Sequence, residues 1–146
     1  MSMYKRILVP TDGSDITTKA VHTAIALAKL TGAELFAIGV KEPFPYSAIS
    51  EMQPVPPQEF YDAQERIAGG HVKAAVDAGL ASGLKVQGHT DEALHPWEAI
   101  IDHAKAQDCD LIVMASHGRR GVSALLLGSE TQKVLTHSTL PVLVVR

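Results

Sequence analysis

Positive charge is in short supply in this chain: 13 lysines and arginines face 16 aspartates and glutamates, a formal net charge of −3. Without a basic excess there is no electrostatic footprint for nucleic acid or for an anionic membrane, so neither is expected as a partner. Cysteine is scarcer still. The single Cys109 excludes an internal disulfide, fits a reducing compartment and reads as a small buried hydrophobe. No apolar run approaches the ~20 residues that span a bilayer. The opening MSMYKRILVPTDGS lacks a long apolar core and a small-residue cleavage site. It reads as a first strand, and a cytoplasmic location is expected. Familiar catalytic signatures are missing as well: there is no G-x-x-x-x-G-K-[ST] loop, no G-x-G-x-x-G opening the first helix and no G-x-S-x-G elbow. The seven histidines show no H-x-x-x-H or H-E-x-x-H spacing, so no zinc site is expected.

What the chain does have is an ordinary core and a regular alternation. Its 146 residues, 46% hydrophobic, fit one domain spanning 1–146. Ile7–Pro10 is a short apolar run broken by Thr11-Asp-Gly-Ser14. Ala20, Val21, Ala24, Ile25 and Ala28 then recur at helical spacing until Gly32. Glu34–Val40 is apolar enough for a strand buried on both faces. Lys41–Pro57 carries five prolines, which exclude a long helix or a central strand, and its Phe44 and Tyr46 could cover a ligand. A second helix follows from Phe60 to Ala81, with Gly69-Gly70 suggesting a kink or a close helix contact. Leu84–Thr90 is a weaker strand, Pro96 opens a third helix, and Asp110–Met114 is a fourth strand. Ser129-x-x-Gln132 predicts a capping box for the last helix, and Pro141–Arg146 closes the chain as an apolar strand.

Strands separated by helical crossovers predict a doubly wound α/β fold: a five-stranded parallel sheet of order 3-2-1-4-5 with helices on both faces, Rossmann-like. Such folds bind ligands beyond the carboxyl ends of the strands, where the strand order reverses. That crevice lies between strands one and four, and the loops leaving it are Thr11–Asp15 and Ala115–Ser129. The second is the most distinctive stretch in the chain, ASHGRRGVSALLLGS. A buried strand that opens into a small-residue loop and closes on a helix start points backbone N–H groups and a positive dipole end inward, which suits an anion. Gly118 and Gly128 leave the backbone bare for close approach. His117 can donate to a phosphate oxygen. Arg119 and Arg120 can grip two oxygens each or simply face solvent.

With these residues in place the chain resembles the universal stress protein family over nearly its whole length, through ILVPTDGS at 7–14, DLIVMASHGRRG at 110–121, LLLGSETQKVL at 125–135 and PVLVVR at 141–146. Nucleotide-binding members resemble one another in a glycine, two residues, a glycine, nine residues, and a glycine followed by Ser or Thr. Here Gly118, the spacer Arg119–Leu127 and Gly128-Ser129 match, while Ala115 replaces the first glycine. The resemblance implies that Pro10, Thr11 and Asp12 flank an adenosine and that Val40 offers its backbone to the adenine. It further implies that the backbone at Gly118, Gly128, Ser129 and Glu130 holds the phosphates. ATP is the implied ligand, with Mg²⁺ carried by its phosphates. Glu130 departs from the usual neutral residue. A carboxylate there suits the first helical turn, but beside a triphosphate it repels unless a divalent cation intervenes.

The reading that follows is an ATP-binding stress-response sensor, homodimeric through strand 141–146, whose ordered loops a protein partner reads. Two alternatives stay open: a dimeric interaction protein of the same fold without nucleotide, and a slow ATP hydrolase. Nothing besides Asp12 resembles a group that orients attacking water, so hydrolysis is expected to be slow or absent.

Overall fold

The computed structural model describes residues 3–43, 58–118 and 127–146. Five strands and four helices alternate: β1 (Arg6–Pro10), α1 (Asp15–Thr31), β2 (Glu34–Lys41), α2 (Gln58–Ala81), β3 (Val86–Glu92), α3 (Pro96–Ala106), β4 (Leu111–Ala115), α4 (Ser129–His137) and β5 (Val142–Val145). The strands form one parallel sheet of order β3-β2-β1-β4-β5, as the alternation predicts.

Side chains alternate across each strand, so the central strands feed two cores. Ile7, Val9, Leu35, Ala37 and Val113 pack on one face with α1 and α2. Leu8, Phe36, Ile38, Ile112 and Met114 pack on the other with α3 and α4. All of β4 is buried, which is why its sequence is an unbroken apolar run. Cys109 lies just before it, buried as expected. Desolvation pushes its thiol up to about 12, so it stays protonated across the physiological range.

The edges differ from the centre. β3 begins two residues later than the pattern predicts, because Leu84 is used to close α2: its N–H donates to Gly79 O, with Gly83 left-handed at φ +83°. The predicted close helix contact at Gly69-Gly70 does not occur. Helix α2 runs unbroken, and no side chain crowds Gly70. The close approach of α2 to the sheet falls instead at Val72, which sits over Gly39 of β2 and Gly88 of β3. Added Cβ atoms there would lie 2.9 and 2.6 Å from its methyl groups. On the other edge, β5 leaves Leu143 41% exposed.

Candidate functional site

The first loop at the carboxyl edge of the sheet is tied off by its own side chains. Thr11 N donates to Ile38 O at 2.9 Å, carrying the β1–β2 ladder one residue past Pro10. Asp12 Oδ1 then accepts from Ser14 N (3.0 Å), Ser14 Oγ (2.6 Å) and Thr17 Oγ1 (2.9 Å). Ser14 is the N-cap of α1, and its hydroxyl accepts from Thr17 N. Gly13 makes the turn at φ +78°, and the imidazole of His71 from α2 covers it so closely that a Cβ there would lie 2.3 Å from the ring. His71 is a part of this site that sequence reasoning missed.

The described ends of the second loop are held by two backbone bonds and one from a side chain. Ser116 N donates to Val145 O at 2.7 Å, Gly128 N donates to Ser116 O at 2.7 Å, and Thr131 Oγ1 donates to Ala115 O at 2.9 Å. These bonds pin the start of α4 against the end of β4. An added Cβ on Gly128 would lie 3.1 Å from His117 Cα, and one on Gly118 would lie 2.9 Å from Asp12 Oδ2. The two loops therefore meet at the carboxyl ends of β1 and β4, where the strand order reverses and open α/β sheets place a binding crevice.

The predicted capping box is not formed. Gly128, extended at φ −64° and ψ 155°, is the N-cap, and Ser129 is already the first helical residue. Gln132 N closes the first helical bond to Gly128 O at 3.0 Å, while its side-chain amide turns to Leu127 O. An N-cap must be extended, and the bond from Gly128 N to Ser116 O fixes that residue in the role. Since glycine has no side chain, α4 starts without a side-chain cap.

Glu130 does something local reasoning did not foresee. Its Oε2 accepts from Trp97 N at 2.8 Å, in the first turn of α3. The N-cap of α3, His95, makes no side-chain cap bond, and Pro96 has no N–H to offer. One carboxylate thus sits in the first turn of its own helix and caps another. The adjacent side chains of Ser116 and His117 also face each other, with Ser116 Oγ and His117 Nδ1 3.1 Å apart. The chain bends at the strand exit, and that turn brings them together.

The sequence-predicted residues Thr11, Asp12, Ala115, His117, Gly118, Gly128, Ser129 and Glu130 thus share one end of the sheet. Pro10 ends β1 opposite Ile38, and Val40 lies near the end of β2 opposite Asp91. Arg119, Arg120 and the Phe44–Pro57 part of the long connection lie outside the described residues. A cavity of about 300 Å³ opens at the opposite pole, between Lys105, Cys109, Ser138 and Leu140, and none of the predicted residues lines it.

The whole arrangement has known counterparts. The sequence model of the universal stress protein family matches residues 3–146. The chain belongs to the universal stress protein family. It is 34% identical to the universal stress protein YxiE of Bacillus subtilis, covering 99% of this chain and 100% of that one. Among solved universal stress proteins, UspA from Lactobacillus plantarum superposes with a TM-score of 0.84 at 26% identity, each chain covered completely. A universal stress protein solved in complex with cAMP shares the fold at a TM-score of 0.74 and 24% identity, with 99% of each chain covered. No helix among the described residues is long and apolar enough to cross a membrane.

Proposed function

We propose that this universal stress protein is a nucleotide-responsive module that holds ATP, with Mg²⁺ on its phosphates, in the crevice between β1 and β4. The observation that carries the reading is the start of α4. Its N-cap is a glycine without a side chain, and Gly118 and Gly128 let the two loops pack closely, Gly118 against Asp12 and Gly128 against His117. The first-turn N–H groups of a helix need partners, and among the described residues no side chain caps that end, which suits a ligand anion. The cAMP complex of a chain with the same fold supports an adenine nucleotide as that ligand. The phosphates would meet the backbone at Gly118, Gly128, Ser129 and Glu130, with His117, Arg119 and Arg120 beside them. Thr11, Asp12 and Val40 would face the nucleoside end.

The chemistry is binding without turnover. Asp12 Oδ1 is committed to three donors of its own turn, which leaves it poorly placed to orient water at a distant phosphate. The edge strand β5, with Leu143 exposed, supports pairing of two copies through residues 141–146. A monomer in sedimentation at micromolar concentration would remove that part of the reading.

The deciding experiment is calorimetric titration of nucleotide-free protein with ATP, with and without Mg²⁺, beside a Gly118→Asp/Gly128→Asp variant. Saturable binding is expected, lost by at least about a hundredfold in the variant, which puts carboxylates where phosphates would lie. No binding under either condition would sink the nucleotide reading and leave the dimeric interaction protein. ADP released at about 1 s⁻¹ or faster would replace it with an enzyme.

A further inference from the structure

We infer that Glu130 selects the nucleotide by charge, favouring adenine nucleotides with a single phosphate over metal-free triphosphates. This inference rests on the proposed site and concerns one side chain within it. A glutamate at an exposed helix start can ordinarily swing away from an arriving anion. Glu130 is not free to do so, because its Oε2 is held by Trp97 N at 2.8 Å. The bond is strong for identifiable reasons: the acceptor is ionised, and α3 has no side-chain cap of its own. Trp97 is itself fixed against α4, its ring stacked on His137 with centroids 4.4 Å apart. The clip therefore closes on one helix at two points, through Glu130 in its first turn and His137 at its end.

The fixed negative charge lies one residue beyond Ser129, within the turn whose N–H groups would receive a phosphate. Repulsion grows with the charge brought in. A cyclic or simple monophosphate brings one or two charges, whereas metal-free ATP brings about four at neutral pH. A divalent cation on the phosphate tail offsets the excess, because it binds the phosphate oxygens and leaves the protein backbone contacts in place. The clip thus turns a residue that serves helix packing into a filter on ligand charge.

Glu130→Gln is the informative change, since a side-chain amide oxygen still accepts from Trp97 N while the charge is gone. Calorimetric titrations with AMP and ATP, each in EDTA and in Mg²⁺, give the comparison. The variant is expected to bind metal-free ATP about tenfold more tightly, to bind AMP only about threefold more tightly, and to lose most of the Mg²⁺ advantage for ATP. Glu130→Ala removes acceptor and charge together, so it tests whether the ATP-to-AMP ratio follows the charge even when stability falls. ATP binding in EDTA by the variants, beside a wild type that is silent in EDTA and binds ATP once Mg²⁺ is added, supports the inference in its strongest form. An unchanged ATP-to-AMP ratio in both variants overturns it while leaving the nucleotide site standing. Failure of all three proteins to bind either nucleotide overturns both.

Discussion

Helices α1 and α4 start at the same edge of the same sheet, each just beyond a buried strand, yet they are finished in opposite ways. α1 is closed: Ser14 caps it, Asp12 gathers three donors, and His71 covers the turn from above. α4 is open among the described residues: its N-cap Gly128 has no side-chain cap, and the Gly128 N–H on Ser116 O and the Thr131 hydroxyl on Ala115 O hold the helix start in place. The comparison separates two tasks that a strand-to-helix loop can perform. A loop that satisfies itself forms a wall, and a loop braced from behind leaves its front to the proposed ligand.

Breaking the closed side should have the largest effect on stability. Gly13→Ala places a Cβ at positive φ and against the His71 ring, and it is expected to cost about 2–3 kcal/mol in denaturant unfolding. Adding His71→Ala to that variant should recover the steric share and leave the backbone share. A loss below about half a kcal/mol would mean that the turn has no need of glycine. The next effect is smaller. Ser14→Ala removes the α1 cap and should cost about 1 kcal/mol while leaving nucleotide affinity within about twofold. A large loss of affinity would show that the α1 start is part of the receptor after all.

The smallest effect tests whether α3, which is capped by Glu130, responds independently of both loops. His103 of α3 stacks on His89 of β3 with centroids 4.3 Å apart and planes within 4°. Burial holds the His103 imidazole below its ordinary value of 6.5, and the charge of His89 adds to this, opposed by Asp91. The unfolded chain then takes up the proton before the folded one does. Stability should be flat above that ordinary value and should decline as pH falls through it toward the lower folded value. His103→Gln should flatten the decline in a pH series of thermal midpoints. An identical slope in the variant would assign the effect elsewhere.

Much of this architecture was legible before any coordinates. The central strands are unbroken apolar runs, the helices carry three-to-four spacing, and the rules for parallel crossovers leave few sheet orders to choose from. The place of the candidate site, at the ends of β1 and β4, follows from that order. What could not be read depends on residues far apart in the chain. The Glu130–Trp97 bond joins positions 33 residues apart, and no local propensity distinguishes a carboxylate that serves its own helix from one that serves another. His71 over Gly13 is the same kind of case. The misplaced capping box has a different origin: Gly128 and Ser129 are both acceptable N-caps, and a tertiary bond to Ser116 O chooses between them. Likewise, whether a glycine permits close approach depends on what lies opposite. Val72 picks out Gly39 and Gly88, and nothing picks out Gly70.

Trp97 is the only tryptophan in the chain, and its position at the joint between α3 and α4 makes it a native optical probe. The emission of the protein has a single indole source, half-buried, with an imidazole against its face and its amide clipped to the first turn of α4. Any event that shifts that helix start alters the polarity and quenching around one known ring. The molecule carries its own dye at the joint where a bound anion would be felt, and the readout needs no label.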